Sequence, residues 1–304
     1  MAGAESRAGG RRLDTGAPVD GRHRGVSAAT ASRVLVAREV PGELGAHGGV
    51  SAAAASRVLV TGGTGAIGGA VVERLCRGGA EVVFTGRNRR RGAALAQRTG
   101  AGFVPSDLCE PGAPEAIVEG ALGVLGGLDG LVLAAGVLHR APLSETSDAD
   151  WDTLLETNVV APFLLARACL DALADGGGAV VALASGTAEW PEAELGAYSV
   201  SKRALLWLTR MLAVEGAVRG VRANAVSPGH TADGMGSSSV LGGGPIDDLA
   251  RLVPLPPSGR YSTPEDVAGA VAYLLSDAAA GSTGATLAVD GGMLAALRAV
   301  RVRQ

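Results

Sequence analysis

Tyr198 and Lys202 stand four residues apart in the stretch AYSVSK, residues 197–202. Residues at i and i+4 share one face of a helix, so the two side chains can act at one point. A free phenol titrates near ~10 and keeps its proton at neutral pH. A neighbouring ammonium favours the phenolate, so the pairing predicts a lowered tyrosine pKa and a usable acid–base group. The lysine is notable for a second reason. The chain has 27 basic residues, and Lys202 is its single lysine. The excess of Ala, Gly, Val and Arg suggests a GC-rich coding bias that replaces lysine with arginine wherever either serves. A compact ammonium can donate to ribose hydroxyls where the planar fork of arginine would not fit, so Lys202 reads as a position where chemistry resisted that bias. Ser185 lies 13 residues before Tyr198, at the end of an apolar run. Its hydroxyl can bond a substrate carbonyl and share a developing oxyanion with the phenol. A YxxxK pair alone is an ordinary amphipathic helix; the upstream serine and a glycine loop make it a candidate site.

That loop is VLVTGGTGAIGGAVVERL, which reads as strand, glycine turn and helix. Gly62, Gly65 and Gly68 are spaced by three. Glycine lets the backbone turn sharply and approach a pyrophosphate closely, and the following helix offers free N–H groups at its positive end. In a chain with 47 glycines the match alone is weak, and its place between a first strand and a helix strengthens it. The second strand bears on the cofactor. Folds that select NAD place an acid near its end to bond the ribose 2′-hydroxyl. Here the strand ends Thr85, Gly86, Arg87, without an acid, and Arg89, Arg90 and Arg91 follow. Arg87 can pair a 2′-phosphate, so NADPH is expected ahead of NADH; a solvated basic helix start is the plainer alternative.

These groups need a scaffold. From Arg57 onward seven short apolar runs, RVLVT, EVVFTG, GFVPSD, LDGLVLAAG, GAVVALAS, VRANAVS and ATLAVD, alternate with helical segments. Helices are expected near 66–78, from Asn88, at 113–125, at 148–175, at 197–218 and after Thr263. Thr263 can cap the last of these, Pro264 suits its first turn, and Glu265 and Asp266 favour its positive end. The alternation predicts an α/β chain with a seven-stranded parallel, doubly wound sheet and helices on both faces.

The bulk numbers narrow the function classes. With 304 residues, 47% of them hydrophobic, the chain can bury a sizeable core. A net charge of −3 and 3% aromatic residues argue against nucleic acid as a partner. Cys76, Cys109 and Cys169 are odd in number and far apart, so neither a disulfide framework nor a metal site is expected. No apolar run is expected to cross a membrane. Residues 1–56 are rich in Gly, Ala, Ser and Arg and are expected to be a disordered extension. They hold a duplication: VSAATASRVLV at 26–36 returns as VSAAAASRVLV at 50–60, and only the second copy runs into the glycine loop. No apolar stretch of the signal-peptide kind follows the early basic residues, so a cytoplasmic location is expected.

Several further motifs fall in one order: TGGTGAIG (61–68), DL (107–108), AAG (134–136), TNVVAPF (157–163), Ser185, YSVSK, NAVSPGHT (224–231) and AVDGG (288–292). On these the chain resembles the short-chain dehydrogenase/reductase family of the classical single-domain type, over 57–304. The resemblance implies a single Rossmann-type domain and hydride transfer at a carbonyl or carbinol. It implies Tyr198 as acid–base, Lys202 as ribose ligand and tuner, and Ser185 as carbonyl holder. Asn158 would position a water in the proton relay. Gly62, Thr64, Gly65, Ile67, Gly68, Arg87, Asp107, Leu108, Ala135, Gly136, Pro228, Gly229 and Thr231 would surround the cofactor, with Asp107 beside the adenine and residues 228–231 near the nicotinamide. It also implies a homo-oligomer, tetramer or dimer, packed through the long helices. Two departures stand out. Ala66 occupies a place where the family spacing has glycine, and Ala134 replaces the asparagine of the usual Asn-Ala-Gly turn. Both variants look like ketoreductase domains of modular polyketide synthases, and Trp190, eight residues before Tyr198, adds one more match to a class of them. Those domains usually exchange the lysine and asparagine positions, whereas Asn158 and Lys202 stand here in the classical ones.

The substrate pocket is expected from segments 137–145, 186–197 and 230–260, with Glu189, Trp190, His139 and Arg140 as candidate specificity residues. The last segment reads as a Gly-rich hinge and short helix able to close over substrate. The function expected is an NADPH-dependent ketoreductase of a β-ketoacyl or polyketide-like carbonyl, free or carrier-bound, in secondary metabolism. The alternatives are an NAD(P)+-dependent dehydrogenase of a cyclic or secondary alcohol and, in another class, a non-catalytic dinucleotide-binding scaffold.

Overall fold

The computed structural model describes residues 56–235 and 253–299. The expected extension and its duplication therefore lie outside the described residues, apart from the end of the second copy. So do residues 236–252, the middle of the segment expected to close over substrate. Within the described residues the chain alternates strand and helix: β1 (Arg57–Val60), α1 (Ala66–Arg77), β2 (Glu81–Gly86), α2 (Arg89–Thr99), β3 (Gly102–Pro105), α3 (Ala113–Leu125) and β4 (Gly130–Leu133). After β4 come α4 (Asp148–Leu155), a π turn (Glu156–Val160), α5 (Ala161–Ala174), β5 (Ala179–Leu183) and α6 (Gly196–Ala217). Last come β6 (Arg222–Pro228), α7 (Pro264–Leu275), β7 (Thr286–Val289) and α8 (Met293–Ala299). All seven strands pair in parallel, in the order β3-β2-β1-β4-β5-β6-β7. This is the doubly wound Rossmann-type sheet that the alternation predicts.

The strands are apolar on both sides because helices cover both faces. Successive residues of one strand point to opposite faces. Val58 and Val60 thus join one core layer with Val71, Val72 and Leu75 of α1 and Val267 and Val271 of α7. Leu59, between them, joins the other layer with Ile117 of α3, Leu165 and Cys169 of α5 and Leu205 of α6. Helix starts follow local chemistry. Asn88 caps α2 by accepting from Arg91 N at 3.0 Å. Thr263 and Asp266 form a reciprocal capping box at α7, as the sequence predicts for Thr263.

Three details differ from the sequence reading. The strands are shorter than the apolar runs: β4 ends at Leu133, so 134–136 is a turn, and β5 ends at Leu183, two residues before Ser185. The helical stretch 148–175 is broken at its centre by the π turn. Pro162 has no N–H to return to the carbonyl of Asn158, four residues back, which removes one α-helical bond where the turn widens. Finally, α8 follows the last strand, started by Asp290, whose Oδ1 accepts from Gly292 N at 2.9 Å and Oδ2 from Leu294 N at 2.8 Å. The span Asp148–Ala174 is also long and apolar enough, by composition, to cross a membrane. Its Ala161, Leu165, Cys169 and Leu173 are instead buried in the second core layer, as a core helix requires.

Candidate active site

β1 pairs with β2 on one side and β4 on the other, so the strand order reverses there and a crevice opens beyond the strands' carboxyl ends. A cavity of about 1040 Å³ occupies it. That is large enough for a dinucleotide and a small substrate together. Three glycines shape its floor for three separate reasons. Gly62 has φ +68, and a Cβ there would lie 2.7 Å from the Ala135 backbone. At Gly68 a Cβ would run into the Gly62 carbonyl, so α1 could not seat against the turn. At Gly65 a Cβ would meet only the Gly62 oxygen, at 3.4 Å, so glycine there keeps the helix mouth open rather than relieving a clash. The residues present therefore fit a pyrophosphate against the α1 N-terminus. Ala66 is the exposed first residue of α1 and lines the cavity without disturbing the turn. Thr61 Oγ1 accepts from both Ala134 N and Ala135 N at 3.0 Å, pinning the Ala-Ala-Gly turn through its backbone.

Thr64, Ile67, Leu108, Ala135, Gly136, Pro228, Gly229 and Thr231 all line the same cavity. At its β2 end stand Arg87, Asn88 and Arg91. Arg89 and Arg90 do not line it. The Arg87 guanidinium is 70% exposed and lies 3.8 Å from Asp107 Oδ2, an ion pair too long to be a hydrogen bond. Asp107 uses its other oxygen to accept from Cys109 N at 3.1 Å.

Ser185, Tyr198 and Lys202, the candidate catalytic residues, line the same cavity away from the β2 end. Ser185 follows β5 in extended backbone, and its Oγ accepts from Thr187 N at 3.3 Å. Tyr198 and Lys202 project from the first turns of α6 and are both buried. Lys202 Nζ donates to the Leu183 carbonyl at 2.9 Å and lies 5.9 Å from the Tyr198 ring centre. Burial pushes the ammonium down to about 8. The phenol moves opposite to the sequence expectation. Burial pushes it up to about 12, the hydrogen bond with Ser185 works against this, and the charge of Glu192 adds to the rise. Desolvation is the largest cause of the rise, and Lys202 Nζ is bonded to a backbone carbonyl. Asn158 is fully buried in the π turn. Its Oδ1 accepts from Val137 N at 2.9 Å, and its Nδ2 donates to Val137 O at 3.0 Å and Ser201 Oγ at 2.9 Å. Its side chain thus ties the 137 loop to α6, and its backbone carbonyl is the one deprived of an i+4 donor by Pro162.

The pocket end holds Trp190 and Arg140, both expected, together with Glu192 and His230, which the sequence reading did not single out. Glu189 and His139 are not among its lining. His139 Nδ1 instead lies 3.6 Å from Asp150 Oδ1. The available signal for the two missed residues was position: Glu192 falls inside the 186–197 pocket segment, and His230 directly follows Pro228-Gly229. Met293, Leu294 and Leu297 of α8 complete the wall.

Comparison with known proteins agrees with this geometry. Residues 63–294 match the family model described as enoyl-(acyl carrier protein) reductase. The chain is 37% identical to 2-(S)-hydroxypropyl-CoM dehydrogenase 3 of Xanthobacter autotrophicus, over 77% of this chain and 94% of that protein. It is 34% identical to D-threitol dehydrogenase of Mycolicibacterium smegmatis, over 76% of this chain and 90% of that protein. Among solved structures, a protein from Beutenbergia cavernae assigned as an NAD(P)-dependent gluconate 5-dehydrogenase, with NADP bound at low occupancy, superposes with a TM-score of 0.73. It is 34% identical, covering 81% of this chain and all (100%) of that one.

The Lys202 shift makes a prediction about stability. Between the folded value of about 8 and the ordinary value of 10.5, the unfolded chain holds a proton that the folded chain lacks. Stability contributed at this position therefore rises with pH across that window. Without cofactor, Lys202→Met should be more stable than wild type at about pH 7.5. The difference should shrink by on the order of 2 kcal/mol by about pH 9.5. Urea unfolding at the two pH values checks this, and a difference that stays constant would refute the burial of a charged lysine.

Proposed function

The chain belongs to the short-chain dehydrogenase/reductase family, and from that premise we propose an NADP(H)-linked enzyme that interconverts a ketone and its secondary alcohol. The convergence of Ser185, Tyr198 and Lys202 at one end of a dinucleotide-sized cavity carries this reading. A bound nicotinamide cofactor would supply or accept the hydride. In reduction, the substrate oxygen accepts hydrogen bonds from Ser185 Oγ and the Tyr198 hydroxyl, and Tyr198 gives it the proton. Ser185, which opposes the rise of the phenol, would help stabilise the phenolate left behind. Lys202 and Tyr198 would hold the nicotinamide ribose, and residues 228–231 the ring. A phenol pushed up to about 12 keeps its proton at neutral pH, the form able to donate to a carbonyl oxygen. The names of the relatives favour a small secondary alcohol and its ketone over a carrier-bound β-ketoacyl chain. The scaffold alternative leaves three converging reactive groups without a use.

Arg87 supports NADPH over NADH: it stands at the end of β2, on the cavity, where an NAD-selecting chain would carry an acid. Homo-oligomerisation is part of the same reading. Val200, Trp207, Met211 and Val214 are exposed on α6, an apolar set suited to a second copy. The three cysteines are free thiols, as a cytosolic protein would keep them.

Three outcomes are expected. Tyr198→Phe should lower kcat by about 10²–10⁴-fold while NADPH affinity falls by no more than about tenfold, the loss of one ribose hydrogen bond; unchanged turnover sinks the catalytic assignment. Arg87→Asp should weaken NADPH binding about tenfold to a hundredfold and reverse the preference over NADH in calorimetry. An unaltered preference would remove Arg87 from the site. Light scattering should give a dimer or tetramer, and a monomer would count against the α6 interface.

A further inference from the structure

The geometry points to Glu192 and His230 as a hydroxyl-recognising pair, so that the substrate is a ketone or secondary alcohol bearing a second hydroxyl group. This rests on the oxidoreductase reading above and deepens it. Both residues line the cavity that holds Ser185 and Tyr198. His230 Nε2 lies 4.0 Å from Glu192 Oε1. That gap is too long for a direct hydrogen bond. It suits a single bridging oxygen, which at ~2.8 Å from each atom would subtend roughly a right angle.

The donor and acceptor pattern selects what bridges. Burial disfavours the charged imidazole, and Arg140 adds to this against the pull of Glu192. A neutral ring with its proton on Nε2 donates once toward the gap, and the carboxylate only accepts. A hydroxyl, which accepts and donates at one oxygen, satisfies both groups. A carboxylate would face Glu192 with like charge, and Arg140 is already paired with Glu194 Oε2 at 3.1 Å. A methyl group in the gap would offer neither the half-buried imidazole N–H nor the carboxylate a partner. The other ring nitrogen has no partner on the protein to compete with the gap. His230 Nδ1 is buried with no hydrogen-bond partner, and its edge is set against Tyr261 at 6.4 Å.

The test compares matched substrates: acetoin with butanone, butane-2,3-diol with butan-2-ol, and the corresponding five- and six-carbon pairs. Wild type should favour the hydroxylated member of at least one pair by about a hundredfold or more in kcat/KM. Glu192→Leu and His230→Leu should each cut that ratio at least tenfold, chiefly through KM of the hydroxylated member. Glu192 is partly exposed, so its variant keeps the experiment decisive if His230→Leu fails to fold. Equal rates for both members, preference for a 2-keto acid such as pyruvate, or a ratio untouched in Glu192→Leu would overturn the pair. The oxidoreductase reading would survive those results. No turnover of any member by NADPH-binding protein would overturn both.

Discussion

The site is organised around a buried ammonium. Lys202 sits inside the protein with its Nζ against the Leu183 carbonyl. A charge out of water is tolerated only where oriented dipoles replace its hydration. That requirement fixes where α6 meets the end of β5, and Ser185 is two residues further along the same chain. It also explains Gly136: a Cβ there would stand 3.1 Å from both Lys202 Nζ and Asn158 Oδ1. The turn after β4, the π turn and the start of α6 therefore converge on one cation. The same burial raises the tyrosine and lowers the lysine, so the two shifts share one cause, desolvation. An arginine at 202 would bring a larger cation that does not give up its proton, which is why a coding bias toward arginine stops here.

The π turn supplies the second constraint. A continuous helix through 148–174 would close every backbone carbonyl on the next turn. Pro162 prevents this at Asn158, and the widened turn carries Asn158 inward instead of along a regular face. Its side chain then spans from Val137 to Ser201, and Ser201 Oγ donates to the Tyr198 carbonyl at 2.7 Å. The loop after β4 and the helix bearing Tyr198 are in this way held by one asparagine. A relay water beside Asn158 would meet a carbonyl without its usual helical donor, whereas the side-chain amide is already bonded on both of its atoms.

Much of this could be read in the sequence because it depends on local rules. Strand–turn–helix with spaced glycines, an i,i+4 pair on a helix and a Thr-Pro-Glu-Asp start each have meaning within a few residues. The parallel, doubly wound character of the sheet followed from the alternation, whereas the strand order is seen only in the fold. What the sequence hid depends on distance in space. The direction of the Tyr198 shift could not be read from its neighbours in the chain, because burial is a property of the packed layers. Glu192 and His230 are 38 positions apart in the numbering and meet only when the loops after β5 and β6 fold over one cavity. Glu189 and His139 were credible by position, yet they fall outside the cavity lining. The π turn left one hint, Pro162, whose effect on a helix is ambiguous: near a start it is well tolerated, and in the interior it breaks a bond.

Both ends of the cavity carry an arginine: Arg87 and Arg91 stand beside Asp107 at the β2 end, and Arg140 stands near Glu192 at the other. The two arginines differ in how they are held. Arg140 is hydrogen-bonded to Glu194 at 3.1 Å. Arg87 is suited to receive a phosphate because Asp107 holds it by charge at 3.8 Å and not by a hydrogen bond. Its donors face solvent, and an arriving phosphate exchanges hydration for a charge-assisted bidentate contact without first breaking an internal bond. A shorter, bidentate Arg87–Asp107 pair would oppose that exchange. The loose pair keeps the guanidinium near the crevice at little cost, since exposed ion pairs are worth about 0–1 kcal/mol. The weakness of this contact would let the same residue serve the empty and the loaded site under the proposed NADPH reading.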